Sequence, residues 1–285
     1  MKMDKRRLEE TFFRVLMIAS LFVVVGALIA VFLVVVIKGA PALSIEMITQ
    51  TPQGGYYLGK GGGVLNAIVG SLYLAGGAIA LGFAISLPIA WYLNQYAARK
   101  SRFCAFVRIS LDVASGIPSL IYGAFVFIIM IGLHERVSLF WGIITVALFI
   151  TPLLTRAIDE VMQTVPPKLK EASYMMGATN FETLIGVVLR QSLPGIVTAF
   201  LLALGRGIGD AASVLFTAGY TDQIPSSLGD AVATLPLAIF FQLGSPVPEV
   251  QARAYASGII LLAIVLALSL ASRVLSKRFK KYVVK

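Results

Sequence analysis

The chain has 285 residues, of which 58% are hydrophobic and only 13% are charged, and it carries a net charge of +10. Soluble domains usually have about 25% charged residues, so this composition excludes an ordinary water-soluble fold and predicts an all-α membrane protein. The single cysteine, Cys104, excludes an intrachain disulfide and offers no cluster of metal ligands. We therefore expect no metal site.

Long runs without Asp, Glu, Lys or Arg predict where the chain crosses the bilayer, because about 20 apolar helical residues span its core. The six predicted spans are 15–37, 64–93, 113–133, 137–155, about 193–219 and 254–272. Two charged residues interrupt the fifth span. The sequence thus divides into an N-terminal segment at 1–14, a transmembrane domain at 15–272 and a basic tail at 273–285.

The distribution of lysine and arginine predicts the orientation of the spans, because cytoplasmic segments are enriched in these residues. Most of the 24 basic residues lie in the N-terminal segment, the second and fourth connections and the tail. Both termini are therefore expected in the cytoplasm. The same bias accounts for the net positive charge, so no nucleic-acid partner is needed. The run 15–37 is too long for the apolar part of a secretory signal, and we expect it to remain in the membrane.

The first outer connection, 38–63, is rich in glycine and proline, and we expect a flexible loop. Gly54, Gly59 and Lys60 match part of the phosphate-binding pattern Gly-x-x-x-x-Gly-Lys, but Gly61 stands where Ser or Thr would hold magnesium. The sequence contains no other candidate nucleotide site. Any ATP hydrolysis is therefore expected to belong to a partner protein.

The stretch Gly116-Ile117-Pro118-Ser119 lies near the start of the third predicted span. Proline and small residues permit kinks and close helix contacts inside a membrane. Gly116 and Pro118 are therefore candidate kink residues, with direct substrate contact as the alternative.

Residues 166–194 form a short polar insert between two apolar spans. The Pro-Pro pair that opens the insert suits the first turn of a helix, and Gly177 suits its left-handed end. Thr179 and Glu182 have the spacing of a capping box for a second helix. The sequence predicts a helix-turn-helix elbow just outside the bilayer, either a connecting loop or a knob that docks in a groove of another protein.

Arg206 and Asp210 are the most informative residues inside a predicted span, because a charge at mid-bilayer costs about 2.5–3.5 kcal/mol on insertion scales. Residues four apart share one face of a helix. The two charges are expected either to neutralise each other or to line a path, in which Arg206 attracts an oxyanion and Asp210 positions it or balances the charge. Gly205 and Gly209 are expected to form a Gly-x-x-x-Gly helix contact.

The last outer segment contains the apolar stretch 231–243, which is too short to span a bilayer and is broken by Pro236. We expect a re-entrant or interfacial helix here. A seventh span would place the basic tail outside the cell, against the charge rule.

The elbow resembles the EAA motif of ABC-importer permeases through Glu171-Ala172-Ser173, Gly177 and Val187-x-Leu189. Two positions depart from that motif, since Ser173 replaces its second alanine and Arg190 its usual proline. The resemblance implies that the elbow is a coupling helix, with Glu171, Ala172 and Gly177 meeting a cytoplasmic ATPase.

Three other stretches resemble the same family. Residues 116–123 are similar to a stretch of phosphate-importer permeases of the PstA type. Residues 203–210 are similar to the family's Ala-Leu-Gly-Arg-Ala-Ile-Gly-Glu, with Asp210 in place of Glu. Residues 234–237 resemble the outer loop at which a binding protein docks.

The resemblance implies a type I ABC importer (MetI-like) permease fold with six transmembrane helices in the bacterial inner membrane. It implies import of inorganic phosphate by alternating access, through a chain that is not an enzyme and holds no cofactor. The implied partners are a second related permease, a dimeric ATPase that binds ATP and Mg, a periplasmic phosphate-binding protein and membrane lipid. The alternatives are a permease for sulfate, molybdate or an organic solute, and a stand-alone secondary transporter or channel.

Overall fold

The computed structural model describes residues 5–53, 61–96 and 101–279. Most of this part of the chain is helical. The helices before the elbow are α1 (Lys5–Gly39), α2 (Ile45–Thr49), α3 (Leu65–Trp91), α4 (Arg102–Gly116), α5 (Ser119–Leu133) and α6 (Leu139–Gln163). Those of the elbow and beyond are α7 (Pro167–Met175), α8 (Asn180–Thr183), α9 (Arg190–Gly209), α10 (Leu235–Leu243) and α11 (Pro248–Phe279).

Two helices carry wide π-helical turns on the side of the elbow. One turn, Tyr92–Tyr96, continues α3, and the other, Leu184–Leu189, leads from α8 into α9. Turns of this kind are rare and are found frequently at functional sites. The regular α-helical hydrogen bonding of α3 and α9 is therefore interrupted on the side of the molecule where the elbow lies.

Five helical stretches in the described part of the chain are long and apolar enough to cross a bilayer. They are Glu9–Ala42, Leu65–Tyr96, Leu139–Gln163, Asn180–Gly209 and Pro248–Phe279. These stretches contain or overlap five of the six predicted spans. The count reaches six when the bent pair formed by α4 and α5 is taken as one further span.

The predicted span 113–133 is divided between two helices, α4 and α5, which meet near the candidate kink residues Gly116 and Pro118. The chain bends by 94° between α4 and α5, and Ile117 at the break has an extended backbone with φ −69° and ψ 131°. The helical conformation is unfavourable for a residue that precedes proline, because that residue clashes with the proline ring. This clash accounts for the break just before Pro118. With 15 residues, α5 is roughly 22 Å long, shorter than the hydrocarbon core.

The core lies where α3, α6 and α9 pack together. Leu154, Ile158 and Met162 on α6 are completely buried there. Small side chains such as Ala75 and Ala78 on α3 are also buried, which lets helix backbones approach closely. This three-helix core holds the bend and the elbow in relation to each other.

The helix α1 is exposed along its apolar length. It meets α11 near its outer end, where a Cβ at Gly39 would lie 2.6 Å from the carbonyl carbon of Tyr255. Because none of the described residues covers the rest of its apolar surface, we expect lipid or another membrane subunit to cover it.

The first outer connection has more regular structure than a flexible loop. It contains a 3₁₀ turn at Ala40–Ala42, α2 and an antiparallel ladder that pairs β1 (Pro52–Gln53) with β2 (Gly61–Gly62). The ladder is a small exception to the all-α prediction. The residues of the partial phosphate-binding pattern, Gly54, Gly59 and Lys60, lie outside the described residues.

The helix predicted in 231–243 begins only at Leu235. The Thr234 hydroxyl caps it by accepting a hydrogen bond from the backbone N–H of Leu237. Leu235 and Leu237 are completely buried, and Thr234 and Pro236 are buried as well. The four residues of this stretch are therefore packed inside the outer segment, and the docking of a binding protein on this segment stays a prediction.

Candidate functional site

Two breaks in the helices meet at one place in the structure. The helix α5 starts directly after the bend, and α9 ends at Gly209, so the predicted fifth span stops short of Gly219. A Cβ at Gly123 of α5 would lie 2.4 Å from the carbonyl oxygen of Ser213. Only glycine permits this approach. Discontinuous helices inside membranes are typical of substrate and ion sites.

The carboxylate of Asp210 joins the two breaks. The Ser119 hydroxyl at the start of α5 donates to one oxygen at 2.7 Å, and the backbone N–H of Ser213 donates to the other at 2.8 Å. Asp210 follows the last helical residue and has an extended backbone, with φ −87° and ψ 122°. The expectation that Arg206 and Asp210 share one face of a helix is therefore wrong.

The guanidinium of Arg206 has no carboxylate partner among the ion pairs of the described residues. Instead its central carbon lies 4.8 Å from the ring centroid of Phe149, and the residue is exposed. The alternative in which the two charges neutralise each other directly is not what the structure shows. The side chain of Arg206 is therefore accessible at the surface of the described part of the chain.

The face of α9 that carries Arg206 is open. Leu202 and Gly209 are exposed, and a Cβ at Gly205 or Gly209 would meet no neighbour within 4 Å in the described part of the chain. The expected Gly-x-x-x-Gly contact is therefore absent within the described residues. The glycine that packs is Gly207, where a Cβ would come within 3.3 Å of Val146.

The hydroxyl of Ser213 was not anticipated from the sequence. It is buried next to Asp210 and has no hydrogen-bond partner among the described residues. The spacing Asp-x-x-Ser is a recognisable signal, because a carboxylate can accept from the backbone three residues on. The open face of α9 thus offers the guanidinium donors of Arg206, and the end of the same helix offers the carboxylate acceptor of Asp210, two kinds of group that suit a partly protonated oxyanion.

The elbow is the second candidate site, and its local structure follows the sequence prediction. Gly177 has a φ of +83°. The Thr179 hydroxyl accepts from the backbone N–H of Glu182, and the Glu182 carboxylate accepts from the backbone N–H of Thr179, so the capping box is confirmed.

The elbow exposes several apolar side chains. No residue of α7 is buried, and both Glu171 and Ala172 are exposed. Met175 is 82% exposed, Met176 88% and Phe181 55%. Contiguous apolar side chains exposed outside a bilayer mark a surface for another protein.

The family of binding-protein-dependent transport system inner membrane components matches residues 86–281 of the chain. The matched residues include the bend, the elbow, Arg206 on α9 and Asp210 directly after this helix. The chain belongs to this family. The permease is 32% identical over 237 residues to the phosphate transport system permease protein PstA of Haemophilus influenzae, covering 83% of this chain and 82% of the relative. PstA 1 of Mycobacterium tuberculosis is 34% identical over 214 residues, covering 74% of this chain and 68% of the relative.

Solved structures place the fold of the permease among ABC importers. A chain of a bacterial alginate ABC transporter, crystallised with an alginate pentasaccharide-bound periplasmic protein, superposes with a TM-score of 0.64 at 13% identity, and all of both chains is covered. A chain of the inward-facing MetNI methionine ABC transporter gives a TM-score of 0.61 at 20% identity, covering 75% of this chain and 95% of that one. The permease therefore has the MetI-like ABC importer fold.

Proposed function

We propose that this permease forms the membrane path for inorganic phosphate in an ATP-driven importer that works by alternating access. The observation that carries the proposal is the exposed guanidinium of Arg206, which has no ion-pair partner among the described residues and lies on the open face of α9. The names of the most similar relatives supply the substrate, since PstA proteins of two organisms are phosphate transport system permeases.

The chemistry of the site agrees with phosphate as the substrate. Arg206 presents a planar fork of donors that matches phosphate oxygens. The Ser213 hydroxyl, which has no hydrogen-bond partner among the described residues, is a further donor. Asp210 accepts only, so it favours an anion that still carries a proton over one that does not. Phosphate retains a proton near neutral pH, whereas sulfate does not.

The elbow supplies the connection to an energy source. Its exposed methionines suit a groove in a cytoplasmic ATPase, because methionine adapts to irregular apolar surfaces. In this proposal ATP and Mg are bound by a dimer of that ATPase, and a second related permease covers the open face of α9. A periplasmic phosphate-binding protein delivers the anion from outside, and this chain catalyses no covalent step.

Uptake of radiolabelled phosphate tests the proposal. The importer is reconstituted in proteoliposomes with its binding protein, and unlabelled sulfate or molybdate is added as a competitor. Arg206→Leu is expected to abolish phosphate uptake while the complex still assembles, because the variant removes the anion's donors. Arg273→Leu, which removes an exposed arginine of α11, is the matched control and should transport normally.

Normal phosphate uptake by Arg206→Leu would contradict the assigned role of this arginine. Competition by sulfate at equal concentration would instead favour the alternative of a permease for another oxyanion. Uptake by the purified chain alone would favour a stand-alone transporter or channel.

A further inference from the structure

A buried carboxylate lies at the inner end of α6, away from the proposed phosphate path. The side chain of Asp159 is completely buried, and it accepts hydrogen bonds from four other side chains. A buried charge is costly unless it is paired and hydrogen-bonded. The proposed function does not yet use this residue.

The four donors come from three parts of the fold. Arg108 on α4 donates from Nε and Nη2, at 2.8 Å and 3.0 Å. Asn94, in the π-helical turn after α3, donates at 2.7 Å. Arg156 and Gln163 on α6 each donate at 2.8 Å. A carboxylate has about four lone-pair sites, so the carboxylate of Asp159 is fully hydrogen-bonded. Asp159 and its four side-chain donors form a cluster, here called the node, that holds α3, α4 and α6 in one arrangement.

The node is joined to the elbow through the residue next to Asn94. The side-chain amide of Gln95 donates to the hydroxyl of Tyr174 on α7 and to the backbone carbonyl of Asn180 on α8. Gln95 and Asn94 both belong to the π-helical turn. A displacement of α7 and α8 therefore acts on the same turn that holds Asp159.

Arg108 connects the node to the proposed phosphate site. Arg108 lies on α4, which continues through the bend into α5, and Ser119 at the start of α5 donates to Asp210. We infer that Asp159 is a positioning residue for transport: it transmits movement of the elbow, through Gln95 and Asn94, to Arg108 and the bent pair α4–α5. This inference rests on the proposed function, because it assigns the route by which ATP-driven movement reaches the substrate site.

The test measures phosphate imported per ATP hydrolysed by the assembled importer in proteoliposomes. Asp159→Asn removes the charge with little change of size, and Gln95→Ala removes the link to the elbow. Glu160→Gln is the matched control, because Glu160 is the next residue and also pairs with Arg156, at 3.3 Å, but is exposed.

Both test variants should still hydrolyse ATP. We expect each to import at least about fivefold less phosphate per ATP hydrolysed than the wild type, because coupling between two sites is usually about fivefold or larger. Glu160→Gln should keep the wild-type ratio. The double variant of Asp159→Asn with Gln95→Ala should be no worse than Asp159→Asn alone, because both changes interrupt one linkage. A wild-type ratio in Gln95→Ala, or losses that multiply in the double variant, overturns the inference. If Asp159→Asn does not assemble, Gln95→Ala decides by the same ratio.

A second measurement needs no phosphate and so separates this inference from the choice of substrate. With Cys104 replaced by alanine, spin labels on Phe106→Cys in α4 and Leu228→Cys in the outer loop, both exposed positions, report the movement of α4 when ATP is added. We expect a change of distance in the otherwise unaltered importer and none in Gln95→Ala. If phosphate is not transported but this contrast is seen, the substrate proposal fails and the linkage stands. An unchanged ATP-driven movement in Gln95→Ala overturns the linkage.

Discussion

Arg206 illustrates how the environment of a single residue points to its role. Its contact with the Phe149 ring is worth about 0.5–1 kcal/mol at an exposed site. Placing an arginine at mid-bilayer costs about 2.5–3.5 kcal/mol on insertion scales. The ring contact is therefore too weak to offset that cost, and a structural role for the residue would leave the cost uncompensated. The proposed water-filled path would remove this cost and leave the guanidinium available to an anion.

Gly123 provides a test of how α5 is seated on the segment after α9. Gly123→Ala should lower the free energy of unfolding by about 1–3 kcal/mol, because its Cβ would lie 2.4 Å from the carbonyl oxygen of Ser213. Thermal denaturation of the purified permease in detergent measures the effect. Gly132→Ala on the same helix is the control, since its Cβ has open space. Equal stability of the two variants would contradict the close approach.

At the scale of elements, the elbow combines a precise local shape with an uncovered surface. Ser173 and Thr183 hydroxyls, 2.9 Å apart, tie α7 to α8, and the Tyr174 hydroxyl donates to the Asn180 side chain at 3.0 Å. These bonds hold the elbow's shape although α7 buries none of its own residues. The apolar side chains are therefore presented on a fixed frame, which reduces the entropy lost on docking.

Gly177→Ala should weaken the docking of the ATPase. The positive φ of Gly177 costs an alanine about 1–2 kcal/mol, and relief of that strain alters the turn between α7 and α8. We expect about tenfold weaker binding of the ATPase, since 1.4 kcal/mol corresponds to a factor of ten. Co-purification at graded ATPase concentrations measures this. Gly186→Ala, which also has open space for its Cβ and no positive φ, should bind normally, and a loss of similar size there would contradict the role of the turn.

The outer loop before α10 should depend on pH through Asp230. Hydrogen bonds from the Ser226 hydroxyl and the Ser226 and Ser227 backbone N–H groups lower the pKa of Asp230 from 3.8 to about 2. A lowered pKa in the folded state means that the carboxylate stabilises the turn above its ordinary pKa and loses this effect as the pH falls towards about 2. A spin label on Ser227→Cys should stay immobile down to about pH 4 and become mobile below it. Asp230→Asn should be mobile at every pH, and an immobile label there would contradict the assignment.

For the whole molecule, the open surfaces of α1, α9 and the elbow are what a membrane subunit of a larger assembly would present. We expect lipid or a neighbouring subunit to cover α1, and in the proposed function a second permease covers the open face of α9 and an ATPase docks on the elbow. The basic residues near the elbow and in the tail predict that this end lies in the cytoplasm.

Accessibility to an impermeant thiol reagent tests this orientation, with Cys104 replaced by alanine. A cysteine at Ser227, in the exposed outer loop, should react when the reagent is added outside intact cells. A cysteine at Met176, which is 88% exposed on the elbow, should react only after the cytoplasmic side is opened. The reverse pattern would overturn the topology.

The sequence alone determined the features that depend on neighbouring residues. Apolar runs predicted the long helices, and the positions of Gly177, Thr179 and Glu182 predicted the turn and capping box of the elbow, because helix periodicity and caps act over three or four residues. The bias of basic residues predicted an orientation on the same local basis.

Only the tertiary structure decided how distant parts of the chain meet. Asp210 lies beyond the end of its helix and accepts a hydrogen bond from Ser119, which is 91 positions away in the sequence. Asp159 accepts hydrogen bonds from Asn94, 65 positions away, and from Arg108, 51 positions away. The size of the bend at Pro118 and the open face of Arg206 also depend on what packs nearby. No pattern of adjacent residues encodes these contacts, because each depends on how separate helices pack within one core.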